Sequence, residues 1–454
     1  MNSHNVREYP RRRGSGRLVV VLLTAVLAIA GCAGGSTGST SPTSVDMAAA
    51  LKQPATLTLW SWVGGLEDEI AIFEKKYPNI EVKVVNAGQG PAEYQKLRTA
   101  LSAGEGAPDV VQIEYQQVPS FTITNNLLDL MPYGANDIKD KFVPSAWQQV
   151  TQGNKVFAIP QDTGPMGMLY RQDILEKHGI AVPRTWDEFA DAARKLHAAD
   201  PSTYLTNLPP NEGGAMTGLL WQAGSRPYRA AEGTELTLNI DDAAARKVAG
   251  YWNGLVQQQV VAADADFTDQ WYQGLANGKY AAWLTAAWGP LFLQGTAKGT
   301  AGKWRAAPLP QWSSDEKVSG NWGGSTSAVT TQSKHPEAAA ALAMFLNSDP
   351  ESTRMLATKQ FLFPATKALV TDESFTSQGL PFYGGQQVNK VFAGISETVR
   401  TDFTWSPFQD YVYSAFTDTV GKAITDRRDL PSALRDWHQD VASYAQKQGF
   451  HLTS

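Results

Sequence analysis

The chain has 454 residues, more than a single hydrophobic core usually organises, so two lobes or domains are expected. Its formal net charge of −5 provides no general basic field, which argues against nucleic acid as a partner. Cys32 is the single cysteine and the six histidines show no metal-ligand spacing, so we expect no intrachain disulfide, no metal and no cofactor. Fourteen tryptophans leave several of these large rings available to line a cleft.

The N-terminal residues have the organisation of an export signal. Arginines at 11–13 and at 17 precede an apolar run over 18–29, which is too short for an ordinary membrane span. The small residues before Cys32 resemble a bacterial lipobox, which implies cleavage before that cysteine and acylation, including palmitate. We therefore expect a signal peptide at 1–31, a flexible Gly/Ser/Thr-rich tether at 32–54, and a lipid anchor in the extracytoplasmic face of the cell membrane.

From residue 56 onward, strand patterns alternate with helix patterns. Apolar strand signals occur at 56–60, 80–84 and 108–113. Apolar residues at helical spacing fill 66–77 and 94–101 between them. This βαβαβ order predicts parallel strands with helices on both faces of the sheet.

The same alternation continues to the C-terminus. Thr185 and Glu188 form a capping box that begins a helix, because each side chain satisfies an orphan amide at the helix start. Further strands are expected at 156–160 and 280–284, and further helices at 336–346 and 434–444.

Eight short segments carry a family resemblance through their order over about 300 residues. They are 57–60, 73–82, 108–110, 158–160, 169–175, 183–189, 278–283 and 322–324. Together they resemble the family 1 extracellular solute-binding proteins, relatives of maltose-binding protein that serve ABC sugar importers. The lysine and acid pair that follows the first strand of maltose-binding protein is not evident in this chain, and Gly164 aligns with a ligand-binding acid, so the resemblance does not specify the sugar.

The resemblance implies an α/β, two-lobe fold of the periplasmic-binding-protein type II, joined by a three-segment hinge. The chain would cross near 160–164, 322–325 and 363–366, which gives a first lobe of 55–160 plus 325–364 and a second lobe of 165–321 plus 366–454. It also implies a monomer that closes on its ligand without catalysing a reaction, and that meets the transmembrane subunits of an ABC permease.

Sugar chemistry selects the candidate site residues. The C–H faces of a pyranose match aromatic rings, whereas its hydroxyls need hydrogen-bond partners, best supplied by charged or amide groups at strand ends. The resemblance places a stacking ring at Trp288, and the glycines near the second crossing would let the backbone approach a ligand. The candidates are Trp60, Trp62, Glu114, Tyr115, Gln161, Asp162, Trp288, Trp322, Gly323, Gly324 and Trp405. The many aromatic residues favour an oligosaccharide over a monosaccharide.

Other readings of the sequence remain open. A secreted glycoside hydrolase would also be acidic and rich in tryptophan, although it needs two opposed carboxylates. A binding protein for another solute, such as a glycerophosphodiester, and an adhesion or signalling lipoprotein are further alternatives. Asp264, Asp266 and Asp269 resemble part of a calcium loop, but no glycine turn or terminal glutamate completes it.

Overall fold

The computed structural model describes residues 45–230 and 234–453, and the expected signal peptide and Cys32 lie outside these ranges. The strands are β1 Ala55–Trp60, β2 Ile80–Val85, β3 Val110–Glu114, β4 Thr151–Gln152, β5 Lys155–Val156, β6 Ile159–Pro160, β7 Met166–Arg171, β8 Tyr228–Ala230, β9 Glu235–Leu238, β10 Ala282–Ala286, β11 Trp304–Pro308, β12 Ser325–Val329 and β13 His451–Thr453. The helices are α1 Met47–Ala50, α2 Glu67–Lys76, α3 Pro91–Ala103, α4 Val118–Thr122, α5 Pro144–Gln149, α6 Gln172–Lys177, α7 Trp186–Ala199, α8 Gly213–Gln222, α9 Ala243–Gln257, α10 Asp269–Asn277, α11 Gly289–Thr296, α12 Pro336–Ser348, α13 Pro350–Thr358, α14 Lys367–Val370, α15 Glu373–Thr376, α16 Val388–Ser396, α17 Gln409–Phe416, α18 Lys422–Thr425 and α19 Leu430–Lys447. Among these described helices, none combines the length and the apolar character needed to cross a bilayer.

The first lobe is built on a five-stranded sheet with the order β2-β1-β3-β12-β6. β1 pairs in parallel with both β2 and β3, which confirms the predicted βαβαβ order. β12 returns from much later in the chain and runs antiparallel to β3 and β6. The core buries Leu57 of the sheet, Phe73 of α2, Leu97 of α3 and Leu342 of α12 completely, as the helical spacing of these apolar residues requires.

The second lobe contains a three-stranded antiparallel sheet with the order β10-β7-β11. A second small sheet has the order β13-β9-β8. It contains the C-terminal strand β13 and the two strands that flank residues 231–233 in the sequence. Trp186, Trp252 and Trp437 fill the core where α7, α9 and α19 pack. These rings therefore serve the core rather than a cleft.

Three chain segments meet between the two larger sheets. Residues 161–165 follow β6 and lead to β7, residues 321–325 lead into β12, and residues 363–366 follow α13. Backbone hydrogen bonds join the segments, from Gln161 N to Ser325 O at 2.9 Å, from Trp322 N to Gly164 O at 2.8 Å and from Thr163 N to Phe363 O at 2.9 Å. The lobes are thus linked by paired backbone, an arrangement that permits a hinge.

Three local features differ from the expected elements. The strand expected at 156–160 is divided into β5, which forms a hairpin with β4, and β6, which joins the large sheet. The last part of the expected tether forms α1, because Met47 and Leu51 pack against the first core. In the capping box, Thr185 Oγ1 accepts from Glu188 N at 3.1 Å, whereas Glu188 Oε2 accepts from Arg184 N at 2.7 Å, one residue further upstream than expected.

Candidate functional site

The ends of β1 and β3 place an aromatic ring beside a carboxyl group. Gln112 Oε1 accepts from Ser61 Oγ at 2.7 Å and from Trp62 N at 3.2 Å, which fixes the turn after β1. The Trp62 ring lies edge-on to Tyr94 of α3, with 6.4 Å between the centroids. Tyr94 in turn donates its hydroxyl to Glu114 at 2.8 Å. Trp62 and Glu114, which both belong to the predicted site, therefore meet through Tyr94.

The crossing segments hold Asp162 and Tyr115 in fixed positions. Asp162 Oδ1 accepts from Ser325 N at 2.7 Å, and Tyr115 donates its hydroxyl to the Asp162 carbonyl at 2.9 Å. Gly324 lies between them at φ +94°, and a Cβ there would be 2.8 Å from Tyr115 Cε2. The close approach and the left-handed backbone explain why glycine occupies this position. Gln161 is 6% exposed beside this group.

A cluster of aromatic rings covers the second-lobe side of the crossings. Trp288, at the start of α11, donates Nε1–H to the Trp322 carbonyl at 2.8 Å, and the two rings are perpendicular at 4.8 Å. Phe267 lies 6.1 Å from each of them and adopts φ +63°, an unfavourable backbone for a bulky residue that is typical of functional sites. Gly323 and Gly214 make room for the two indoles, because a Cβ at either would lie within 3.2 Å of an indole Nε1.

Carboxyl groups from the second lobe border the same region. Burial, together with the neighbouring charges of Asp266 and Glu114, raises the pKa of Glu212 to about 8. Burial also raises the pKa of Asp266 to about 7, against the opposing effect of a hydrogen bond from Asn207 Nδ2 at 2.6 Å. Because Glu114 belongs to the first lobe and acts on Glu212, the carboxyl groups of the two lobes face one another.

Glu114 is the common neighbour of the remaining acids. Burial raises the pKa of Glu114 itself, although Tyr94 stabilises the charged form through its hydrogen bond. Burial and the charge of Glu114 raise the pKa of Glu93 to about 8. Burial likewise raises the pKa of Asp162 to about 7, with a further contribution from Glu114 and an opposing hydrogen bond from Ser325 N. The site therefore concentrates carboxyl groups that hold protons near neutral pH.

Asp410 of α17 connects the lobes at the mouth of this region. It accepts from Arg98 Nη2 of α3 at 3.1 Å and from Gln117 Nε2 at 2.5 Å, both in the first lobe. α17 packs on α8 and α19, which places Asp410 on the second lobe. A groove of about 750 Å³ opens outward at this point, lined by residues of α3 together with Asp410 and Tyr413. This groove thus lies where α3 of the first lobe meets α17 of the second.

Trp60, at the end of β1, is half-buried and packs against the core of the first lobe, as Trp62 and Trp288 also do, so its contact with a ligand stays a prediction. Trp405 is buried and donates Nε1–H to Gln149 Oε1 at 2.9 Å, with Trp221 5.7 Å and Phe403 4.9 Å from its ring. These contacts give Trp405 a packing environment, because its ring is buried and its single donor is already engaged.

Several residues of the cleft were not among the sequence candidates. Glu212 precedes two glycines at the start of α8, a signal for close approach that could have indicated it. Phe267 offers no such signal, because its left-handed backbone cannot be read from residue type. The residues missed are Glu93, Tyr94, Glu212, Asp266, Phe267 and Asp410.

Some buried polar groups of the cleft lack internal partners. Within the part of the chain that the structure describes, no hydrogen bond reaches either carboxyl oxygen of Glu93, Oε1 of Gln116, Oε1 of Gln161 or Oγ1 of Thr163. Buried polar atoms are normally paired, since leaving one unpaired costs about 1–3 kcal/mol. A polar ligand would supply the missing partners. No group of His, Cys, Asp and Glu in the described ranges has an arrangement that could hold a metal ion, including the acids at 264–269.

The fold and the site define a class of protein: two α/β lobes with a ligand cleft at their crossing segments. The bacterial extracellular solute-binding protein family matches residues 42–352, and the chain belongs to this family. The family and the two-lobe fold predicted from the sequence are therefore confirmed.

Similar proteins are known from curated sequences and solved structures. The arabinooligosaccharide-binding protein of Bacillus subtilis is 24% identical over 351 residues, or 74% of this chain and 77% of that protein. The ABC transporter-associated binding protein of B. animalis subsp. lactis, solved with β-1,6-galactobiose, is 30% identical with a TM-score of 0.75, covering 88% of this chain and all of that one. The galacto-N-biose/lacto-N-biose I-binding protein of Bifidobacterium longum is 26% identical with a TM-score of 0.76, covering 88% of this chain and 99% of that one.

Proposed function

We propose that this protein captures an oligosaccharide outside the cytoplasm and delivers it to the permease of an ABC importer. The observation that carries the proposal is one region between the lobes where Trp288, Trp322 and Phe267 form a cluster of rings. The Trp322 indole lies against Gly214, two residues after Glu212, and the charge of Glu114 acts on Glu212. Aromatic faces match the C–H faces of a pyranose, and carboxylates form strong hydrogen bonds with its hydroxyls. The saccharide ligands named for the relatives support the same class of ligand.

Binding would act by closing the lobes rather than by chemistry. A sugar that touches both lobes has higher affinity for the closed form, and so shifts the population towards it. The hydrogen bonds of Asp410 to Arg98 and Gln117 provide contacts between the lobes at the mouth of the cleft. The closed form would be the one that the permease recognises.

The proposal includes the membrane anchor expected from the sequence. Cys32 would carry the acyl chains, and the chain up to about residue 45 would separate the lipid from the first lobe. The protein would act as a monomer, and its site comprises Trp62, Glu114, Tyr115, Gln161, Asp162, Trp288, Trp322, Gly323 and Gly324.

A phosphodiester would be unfavourable beside Glu114 and Glu212, because its negative charge would further oppose ionisation of carboxyl groups whose pKa values are already raised. A thermal-shift screen of the purified protein against neutral oligosaccharides, amine-bearing oligosaccharides and glycerophosphodiesters tests the proposal. A ligand at about 100 times its Kd should add about 2.7 kcal/mol to the free energy of unfolding. Chromatography of the same mixtures distinguishes binding from hydrolysis, because a glycoside hydrolase would release shorter sugars. Stabilisation by a glycerophosphodiester alone, or the release of products, would contradict the proposal.

A further inference from the structure

Five carboxyl groups of the cleft have no basic side chain as an ion-pair partner within residues 45–230 and 234–453. They are Glu93, Glu114, Asp162, Glu212 and Asp266. Arg98 pairs with Asp410 at 3.1 Å, and Lys279 pairs with Asp264 at 2.6 Å. Lys96 lowers the pKa of Glu93 through its charge, but it forms no ion pair with Glu93 and donates to the Ala87 carbonyl. No ion pair within the described residues therefore stabilises the ionised form of the five carboxyl groups.

Three of these carboxyl side chains are buried. Glu93 is 0% exposed, Asp266 is 3% exposed and Asp162 is 7% exposed. Glu114 interacts with Glu93, with Asp162 and with Glu212, so the charges share one region. Both oxygens of the Glu93 carboxyl also lack any hydrogen-bond donor among the described residues.

Buried acids of this kind normally have a counter-charge. Bringing an isolated carboxylate out of water is so unfavourable that such groups are paired or protonated in folded proteins. A neutral hydroxyl would meet the need for a hydrogen bond but not the need for a counter-charge when the carboxyl groups ionise. A cation would relieve both, and the faces of Trp62 and Trp288 would also attract it.

We infer that the ligand carries a positively charged amine, as in an oligosaccharide of amino sugars with free amino groups. This inference rests on the proposed function and specifies its substrate class. The amine would lie against Glu114, whose side chain is half-buried, and its charge would favour ionisation of the nearby buried Glu93. The aromatic rings and the side chains of Gln116 and Gln161 would bind the rest of the sugar. A polyamine lacks the flat C–H face that a pyranose would stack on the aromatic rings.

Isothermal titration of the full-length protein at pH 7 tests the inference with matched saccharides. The glucosamine tetramer, the cellulose-type glucose tetramer and the N-acetylglucosamine tetramer share one linkage and differ at C2. β-Galactobiose, arabinotriose and spermidine complete the set. We expect the glucosamine tetramer to bind at least about 10-fold more tightly than the glucose tetramer, with a preference that shrinks as salt is added.

The outcomes separate the two proposals. A neutral saccharide that binds as tightly as the amine-bearing one, or more tightly, overturns the amine inference and leaves oligosaccharide capture standing. Binding of spermidine without binding of any saccharide, or no binding at all, overturns the proposed function as well.

Charge-neutral variants show which carboxyl groups cause the preference for the amine-bearing saccharide. Glu93→Gln and Glu212→Gln keep the shape of the side chain and should each reduce the preference for the amine by at least about 3-fold, since each removes one nearby charge. Asp315→Asn removes the same charge from an exposed loop of the second lobe and should leave the preference unchanged. An equal effect of all three variants would show a general surface field and would overturn the inference.

Discussion

Replacing Trp288 with alanine should weaken oligosaccharide binding while leaving the fold intact. Trp288 is half-buried, and its ring packs on Trp322 at 4.8 Å, on Phe292 at 5.6 Å, on Trp283 at 5.7 Å and on Phe267 at 6.1 Å. The part of the ring that stays exposed would bind the sugar. Its Nε1–H also holds the Trp322 carbonyl at 2.8 Å. The substitution therefore removes one platform and frees its neighbour.

The expected magnitude follows from the area of that platform. A pyranose face on an indole removes on the order of 60 Å² of apolar surface from water, which at about 25 cal/mol per Å² contributes about 1.5 kcal/mol. This corresponds to about a 10-fold increase in Kd. Loss of the bond to the Trp322 carbonyl adds to the effect, so 10-fold is the lower end of the expectation.

Isothermal titration with the best ligand of the thermal-shift screen measures the change. Trp312→Ala is the matched control, since Trp312 is also half-buried but packs on Trp186 and Tyr251 outside the cleft. The control should bind with unchanged affinity. An affinity of Trp288→Ala within about 2-fold of the wild type, with a folded protein, would refute the assignment of this ring to the site.

Three further predictions concern pH, the hinge and the anchor. Burial raises the pKa of Glu93 from 4.5 to about 8. Between these two pH values the folded chain holds a proton that the unfolded chain has released, so the free energy of unfolding without ligand should fall from pH 5 to pH 8. Glu93→Gln should flatten that fall in melting experiments, and an unchanged slope would contradict the burial of Glu93 as its cause. Gly324→Ala should lower the free energy of unfolding by on the order of 2 kcal/mol, because its Cβ would meet Tyr115 at positive φ. Gly295→Ala, where a Cβ meets no atom within 4 Å, should have no such effect, and equal melting temperatures would exclude the steric cause. Cys32→Ser should release the protein from the membrane fraction and abolish palmitate labelling, and a variant that stays membrane-bound would contradict lipidation.

The spacing of apolar residues predicted much of the fold, and the position of residues at strand ends predicted part of the site. The alternation over 56–113 predicted the parallel core of the first sheet, since apolar residues at periods of 2 and 3.6 leave little choice of element. Strand-end position likewise indicated Trp62 and Glu114, because side chains leaving parallel strands meet at one edge. The same rule indicated Trp60, which is half-buried at the end of β1 and whose contact with a ligand stays a prediction.

Long-range contacts explain what the sequence could not predict. Glu212 approaches Glu114 only because the second lobe folds over the hinge, and Asp266 approaches Glu212 only through the fold of that lobe. Neither their proximity nor their raised pKa values are therefore visible locally. Trp405 resembled a loop aromatic, but its partner Gln149 is 256 residues away and holds it in a packed position. Phe267 depends on a left-handed backbone that residue type does not indicate.

A crystal structure of the protein with the tightest-binding oligosaccharide tests the central claim most directly. We expect a sugar ring within about 4 Å of the Trp288 indole, a typical contact distance for apolar groups, and polar substituents within hydrogen-bond distance of Glu114 and Asp162. A saccharide bound outside the space between the lobes, or one inside it without contact to these three residues, would contradict the account.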